Sequence, residues 1–541
     1  MNGVAAIAAT GGRLEPYRGT RDRTRSFLPL QYEKGEAAEN VIVRCVALLV
    51  IALRRVQTLF PALQYLRMSN PRFAIAILAA GKGTRLKSKL PKVLHQIAGR
   101  PLLGHVVRAA SQIVAPADIF CIIGHEAERV RAEIAPLGVQ FIEQLEQRGT
   151  GHALMQCRSV LAAYEHVLVL SGDVPLIRPE TIASVRDFHV AHNAAMTILT
   201  AEPPDPCGYG RIIRRKINGV VSDHVDAIVE QKQLTPEQEK IGEINSGIYA
   251  FKVAELFARI DQLSTDNPHG EYYLTEIAAI LQHDGLPVLA LRTAHASEVL
   301  GVNTRRELAQ LDSILRERKA RELMDNGVTI FKPETVLIDA GVMVGADTVI
   351  EAFVQLFGDT TIGEDCLIRS YSVLTNMRVG NGVRISQGTI ADDSSVGDAA
   401  IIGPYARLRA GSEIGPEAHV GNFVETKNTK LARGAKANHL SYLGDAEIGE
   451  RTNIGAGTIT CNYDGVNKHR TVIGKSAFIG SDVTLVAPVR IGDGAIVGAS
   501  SCITRDVPDD SLGLTRPELQ IKQGWATAKR ARLEAAKLKK K

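Results

Sequence analysis

Branched aliphatic residues recur every six positions through the second half of this chain: Ile338, Val344, Ile350, Leu356, Ile362, Ile368 and Leu374 keep one register without a break. The register returns at Val396, Ile402, Leu408, Ile414 and Val420, and again at Ile473, Ile479, Leu485, Ile491, Val497 and Ile503. Such a period fits neither an α-helix nor a coiled coil. It fits a β-solenoid in which each flat side turns one aliphatic inward and three hexads close a triangular coil. Glycine often follows the aliphatic, as in Ile362-Gly363, Val379-Gly380, Ile414-Gly415 and Ile448-Gly449, so small residues fall at the corners. This accounts for a chain with 48 glycines and only 5% aromatic residues. The hexads break at 426–439 and at 460–470, and interruptions of this kind predict functional loops on one face.

The first half obeys a different pattern, as expected of a 541-residue chain that exceeds a single hydrophobic core. Phe73 to Ala80 is a short apolar run, predicted to be a buried parallel strand, and it leads into Gly81-Lys82-Gly83-Thr84-Arg85. The glycines let backbone N–H groups turn toward phosphate oxygens, while Lys82, Arg85 and the later Lys92 supply neutralising charge. The run from Leu78, Ala79 and Ala80 through Arg85 lacks both the ending of a P-loop and the third glycine of a dinucleotide fingerprint. Strand-like runs at 119–123, 167–170 and 196–200 alternate with helical patterns such as 102–113, which implies an α/β sheet with ligands at the carboxyl ends of its strands. Asp173, in Ser171-Gly172-Asp173-Val174-Pro175, stands at that edge. It reads as a turn former when taken alone, and as a magnesium ligand once a phosphate loop lies beside it.

The formal charge of +5 is not spread along the chain: residues 1–67 hold ten Lys and Arg against five Asp and Glu, leaving the rest neutral on balance. No nucleic-acid partner is indicated, and the Lys-rich tail from Lys529 to Lys541 reads as a solvated, fraying helix. Seven cysteines without a C-x-x-C pair or a Cys/His cluster indicate neither a disulfide framework nor a zinc site, which fits a reducing, cytoplasmic location. The apolar stretch from Val41 to Leu53 contains Arg44 and is shorter than a membrane span requires, so no stable membrane insertion is expected. Residues 1–67 lack periodicity. Glu33, Glu36 and Glu39 argue against a transit peptide, and the favoured alternative takes Met68 as the initiator, with the preceding residues as translated upstream sequence.

Taken together, these motifs resemble the sugar-nucleotide pyrophosphorylases. In particular they resemble the bacterial bifunctional N-acetylglucosamine-1-phosphate uridyltransferase/glucosamine-1-phosphate acetyltransferases, over nearly all of the chain after Met68. The resemblance implies a Rossmann-like nucleotidyltransferase domain over 68–305, a helical linker over 306–326, a left-handed parallel β-helix of hexapeptide repeats over 327–515 and a basic tail over 516–541. It implies acetylation of glucosamine-1-phosphate by acetyl-CoA. Transfer of UMP from UTP to N-acetylglucosamine-1-phosphate would follow, giving UDP-N-acetylglucosamine and pyrophosphate for cell-wall and lipopolysaccharide precursors. Mg²⁺ as cofactor and a homotrimer are implied as well; the hexad period by itself gives neither handedness nor trimer.

Residue by residue, the nucleotide and its sugar map onto Leu78, Ala79, Ala80, Gly81, Arg85, Lys92, Gln144, Gly149, Thr150, Gly210, Glu230, Asn245 and Asn303, with Asp173 and Asn303 as the metal pair. Between Gly210 and Glu230 the chain is longer than the family pattern, which predicts an extended surface hairpin. In the second domain His439, within Asn438-His439-Leu440-Ser441-Tyr442, matches the general base, with Glu425 orienting it. Arg409, Lys427, Tyr442 and Asn453 match the glucosamine-1-phosphate contacts. Ala456, Asn462, Tyr463, Ser481, Ala499 and Arg516 match the acetyl-CoA contacts. Two rival readings are a nucleotidyltransferase whose solenoid only assembles or regulates it, and a non-catalytic regulatory subunit. The presence of His439, Lys427 and Asn462-Tyr463 speaks against the first, and the glycine-rich loop and Asp173 against the second.

Overall fold

Four consecutive residues without solvent exposure, Ala74 to Ile77, cannot alternate between core and water, so this run needs cover on both faces. The computed structural model describes residues 71–539 apart from 268 and 516, and the expectations for residues 1–67 lie outside the described residues. Strand β1 (Phe73–Leu78) pairs in parallel with β2 (Ile119–Ile123), β2 with β3 (Gln140–Glu143), and β1 on its other side with β4 (His166–Ser171). With β5 (Met196–Ala201), β6 (Arg211–Ile217), β7 (Val220–Val229), β8 (Ile244–Lys252) and β9 (Val288–Arg292) they form one nine-stranded sheet, ordered β3-β2-β1-β4-β8-β5-β9-β7-β6. Ile75 and Ile77 face one core with Leu103, Val106 and Val130, whereas Ala74 and Ala76 face the opposite core with Leu154, Leu161 and Ile277. The helix expected over 102–113 ends at Ala110, where the Ser111 hydroxyl turns back to donate to the Val107 carbonyl at 2.8 Å. The extended hairpin expected between Gly210 and Glu230 is β6 and β7. They turn at Asn218-Gly219, both with positive φ, and leave Ile217, Val220 and Val221 exposed at the tip.

A long helix, Arg305–Asp325, links this sheet to the repeats, and the repeats fold as a parallel β-helix. Three sheets of eleven, ten and nine short strands form its sides. The hexad aliphatics stack in register, Ile350 on Ile368 and Leu356 on Leu374, and fill the interior. Each fully buried side chain of this kind contributes on the order of 1.5–3 kcal/mol. The expected loop at 426–439 is a correction: that segment stays in the coil, with Lys430–Leu431 beside Glu413–Ile414 and Lys436–Ala437 beside His419–Val420. One coil there is a residue shorter, and Thr426 and Ala437 occupy inward positions, so the aliphatic pattern lapses while the coil continues. The interruption at 460–470 does form a loop, closed by a bridge between Tyr463 and Lys468.

The hairpin turn at Ala98-Gly99 joins the two halves. Ala98 N donates to Asp312 Oδ1 on the long helix at 2.7 Å, Ala340 N of the first coil donates to Ala98 O at 3.0 Å, and Arg316 bridges to Asp339 at 2.9 Å. Among the described residues no helix is long and apolar enough to cross a membrane.

Behind the sheet, His189 is fully buried between the Thr197 hydroxyl, 2.9 Å from Nδ1, and His166, 3.2 Å from Nε2. Burial, reinforced by His166 and Lys252, lowers its pKa from the ordinary 6.5 to about 3. Between those values the unfolded chain holds a proton that the folded chain does not, so stability is complete above about 6.5 and drains away as pH falls toward 3. The thermal midpoint is therefore expected to fall less between pH 7 and pH 4 in His189→Gln than in the parent; equal falls measured by circular dichroism would contradict this.

Candidate functional site

The carboxyl ends of β1 and β4 open onto a cavity of about 630 Å³ lined by Leu78, Ala79, Ala80, Gly81, Lys92, Gln144, Gly149, Thr150 and Asp173, all from the sequence expectation. Lys82, Gln147 and Glu271 line it as well. Gly83 has φ 60°, and a Cβ there would stand 2.5 Å from Lys92 Cβ, so the glycine lets the loop fold tightly over that lysine. Gln144 is buried and donates to the Gly149 carbonyl at 3.0 Å, while Gln147 donates to the Gln144 carbonyl at 2.9 Å, which gives the far wall a set shape.

Thr150 and Glu271 also belong to an adjoining cavity of about 370 Å³ that holds Glu230, Tyr249, Tyr273 and Thr275. Gly210 and Asn245 flank it: Asn245 N donates to Gly210 O at 2.9 Å, and Asn245 Nδ2 donates to the Tyr249 hydroxyl at 2.9 Å. A register shift in β8 between Asn245 and Tyr249 turns this stretch out of the ladder. Burial raises the pKa of the Glu230 carboxyl, with the Thr275 hydroxyl partly offsetting it.

At the mouth of the larger cavity, two oxygens converge on one cation. Lys92 Nζ forms an ion pair with Asp173 and donates to Asn303 Oδ1 at 2.9 Å, and Arg85 donates to the same Asn303 oxygen at 2.7 Å. Arg85 thus reaches the site through Asn303. The Lys92 ammonium occupies the point toward which a carboxylate and a carboxamide oxygen both aim, and stands in for a cation there. These are hard oxygen donors of the kind Mg²⁺ and similar ions take, with the remaining positions left for phosphate and water. Among the described residues no cluster of three or more His, Cys, Asp or Glu forms a protein-only metal cage.

In the β-helix, coil register assembles the second constellation. Arg409 lies beside Lys427, and Glu425 beside Tyr442, on one sheet. His439 pairs with Asn422 at the neighbouring corner. Bonds from Gly457 N to Leu440 O, Asp482 N to Ala456 O and Ser500 N to Ser481 O carry the same corner upward, so His439, Ala456, Ser481 and Ala499 stand on successive coils. Asn453 lies on the adjoining side of that corner, in register with Lys436. Glu425 accepts from Arg409 at 2.9 Å through one carboxylate oxygen. Arg516 lies outside the described residues.

The loop at 462–470 is built around Asp464, which accepts from Val466 N, Asn467 N and the His469 ring at 2.7–2.8 Å, and these bonds hold its carboxyl far below the ordinary range. It brings Lys468, missed from sequence, beside Lys427, whose pKa is lowered by that second ammonium and by Arg409. Asp445, also missed, accepts from Asn428 at 2.7 Å and from Asn462. Burial opposes its ionisation, but these two amides and the lysines keep its pKa low. Tyr463 projects from the same loop, its hydroxyl donating to Gly465 O at 2.5 Å. The spacing of Lys427 and Lys468 in the chain carries no signal of their meeting, which the fold of the 462–470 loop brings about.

Residues 75–241 match the MobA-like NTP transferase domain family, and residues 470–505 match the bacterial transferase hexapeptide (six repeats) family. The chain is 61% identical over 463 residues to the Bifunctional protein GlmU of Koribacter versatilis, covering 86% of this chain and 98% of that one. It is 48% identical to the protein of the same name from Solibacter usitatus (84% and 97% covered) and 45% identical to that from Acinetobacter baumannii (82% and 96% covered). The chain belongs to the bifunctional GlmU family. As a GlmU family member it is a bifunctional enzyme, a nucleotidyltransferase joined to a hexapeptide acetyltransferase, with a divalent metal requirement in its nucleotidyltransferase half and nucleotide-sugar and acyl-CoA substrates.

In this GlmU family chain Gly149 has φ 100°, and a Cβ there would lie 2.6 Å from Tyr272 O and 2.8 Å from Tyr272 N, backbone atoms that cannot swing aside. Gly149→Ala is expected to displace the wall that Gln144 holds and to cut pyrophosphate release from nucleoside triphosphate by at least about tenfold, the effect of misplacing a bound reactant. A parental rate would show that this wall does not shape the nucleotide site.

Proposed function

We propose that UTP occupies the cavity between the glycine-rich loop and Gln144, that N-acetylglucosamine-1-phosphate takes the adjoining cavity beside Glu230 and Asn245, and that Asp173 and Asn303 hold Mg²⁺. The supporting observation is the convergence of Asp173 and Asn303 on the Lys92 ammonium at the edge of the cavity. Bound there, the ion neutralises charge on the triphosphate. Arg85 and Lys92 add fixed positive charge where the sugar phosphate must approach, Gln144 and Thr150 set the base end, and the two cavities hold the reactants for in-line attack on the α-phosphorus with pyrophosphate leaving.

For acetyl transfer, His439 accepts the proton that the glucosamine-1-phosphate ammonium must lose before its nitrogen can attack the acetyl-CoA thioester; the C–S bond then breaks and coenzyme A departs. Arg409 and Lys427, with Lys468 beside them, form the cationic patch for the sugar phosphate, and Tyr442 and Asn453 contact the sugar. Ala456, Ser481 and Ala499, on the coils that follow His439, are assigned with Asn462, Tyr463 and Arg516 to acetyl-CoA by family likeness. The proposed division is 68–305 for uridyl transfer, 306–326 as linker, 327–515 for acetyl transfer and 516–541 as tail. A cytoplasmic homotrimer completes the reading.

The two chemistries are expected to separate. Asp173→Ala abolishes uridyl transfer and spares acetylation. His439→Ala lowers acetylation by roughly 10²–10⁴ and spares uridyl transfer to ready-made N-acetylglucosamine-1-phosphate. Product analysis by mass spectrometry, with trimer mass and circular dichroism as folding checks, decides it; a folded His439→Ala protein acetylating at the parental rate removes His439 from the base role.

A further inference from the structure

We propose that Glu307, at the start of the long helix, is a positioning residue for uridyl transfer: it sets the backbone of Asn303, and thereby the direction of the Asn303 carboxamide toward the metal. The inference rests on the reading of Asp173 and Asn303 as the metal pair. Thr304 is the N-cap of helix Arg305–Asp325 and forms a full capping box with Glu307, the Thr304 hydroxyl accepting from Glu307 N at 3.2 Å. In a capping box the acidic side chain returns to the backbone N–H of the cap residue. Here Glu307 Oε2 accepts that bond from Thr304 N at 2.7 Å and a second from Asn303 N, also at 2.7 Å. The second bond satisfies no donor of the helix. It holds the residue before the cap, and that residue is the candidate ligand.

Asn303 is anchored from the other side too. Val302 N, one residue earlier, donates to the carbonyl of Asp173 at 3.0 Å, so adjacent peptide groups tie one candidate ligand both to the other ligand and to the helix. The Asn303 side chain is short, so its backbone limits where Oδ1 can go to a few staggered χ1 positions, and the bonds Oδ1 accepts from Arg85 and Lys92 select one of them. Bonds to an ionised carboxylate are the strong kind, which suits a device that must hold an orientation. The same helix steadies the loop after Asp173, where Arg318 donates to the carbonyl of Leu176 at 2.9 Å. One rigid element thus sets both oxygens against each other.

Mn²⁺ binding to the full chain in the presence of UDP-N-acetylglucosamine, read from the electron paramagnetic resonance signal of free Mn²⁺ and corrected for binding to the nucleotide alone, tests this. Partners that orient a metal ligand typically account for about 10- to 100-fold in affinity, and Glu307→Ala is expected to weaken Mn²⁺ binding by that factor. The Mn²⁺ concentration for half-maximal uridyl transfer is expected to rise in step. Glu307→Gln, whose carboxamide oxygen still accepts a hydrogen bond, recovers most of the loss. Thr304→Ala removes the cap acceptor and leaves the Glu307–Asn303 bond, so it lowers the thermal midpoint while keeping Mn²⁺ affinity. If Glu307→Ala and Thr304→Ala weaken Mn²⁺ equally, or if neither does while Asn303→Ala abolishes binding, Glu307 is only a helix cap and the proposal falls while the metal assignment stands. If Asn303→Ala and Asp173→Ala also bind Mn²⁺ as the parent does, the metal assignment falls and takes the proposal with it.

Discussion

No coil of the β-helix satisfies its own backbone: Ile390 N finds its acceptor in Ala406 O and Arg407 N in Val424 O, each in the next coil. This dependence of every coil on its neighbour makes register the organising quantity of the second half. A residue's height is set by counting coils, so side chains distant in the chain are placed side by side without any loop to carry them. Arg409 meets Lys427, and His439 takes its place beneath Ala456, Ser481 and Ala499, by this means alone. The same constraint tolerates coils one residue shorter, provided the inward position stays small or apolar, as Thr426 and Ala437 do. A single excursion, 462–470, suffices to add Lys468 to the cationic patch.

The nucleotidyltransferase half solves its placement problem differently. Strand ends deliver the glycine-rich loop and Asp173, and a helix that belongs to neither the sheet nor the coils delivers Asn303. Because that helix also binds the Ala98 turn through Asp312 and the first coil through Arg316, the proposed metal pair is built where the two halves are joined. In the chain alone Lys92 balances the Asp173 carboxylate and, with Arg85, donates to Asn303. In the proposed reading, a divalent ion held by Asp173 and Asn303 would free that lysine for phosphate.

Much of this was legible in the residues. Phe73–Leu78 announced a doubly covered strand, and the hexads from Ile338 onward announced a solenoid, because both patterns follow from burial and little else. Family likeness supplied the site residues; of those in the nucleotide half, the two cavities are lined by Leu78, Ala79, Ala80, Gly81, Lys92, Gln144, Gly149, Thr150, Asp173 and Glu230, while Arg85, Gly210, Asn245 and Asn303 lie outside their walls. Where the pattern misled, the cause was physical. Thr426 and Ala437 are as buried as any isoleucine but are invisible to a search for branched aliphatics. Glu425 lies beside Arg409 by coil stacking, a contact that linear spacing does not encode. The antiparallel course of β8 between β4 and β5 rests on long-range pairing that its own composition does not reveal. The second hydrogen bond that Glu307 accepts, from Asn303 N, is a matter of one residue's reach beyond an ordinary helix cap.

In the proposed mechanism the Lys92 ammonium keeps the place of a divalent cation between Asp173 and Asn303. Anomalous diffraction from crystals grown with Mn²⁺ and UDP-N-acetylglucosamine measures this directly. A single Mn²⁺ peak is expected, bound by the Asp173 carboxylate, the Asn303 carboxamide oxygen and the diphosphate, with Lys92 moved onto phosphate. A Mn²⁺ peak away from this pair, with Lys92 still bridging Asp173 and Asn303, would contradict it.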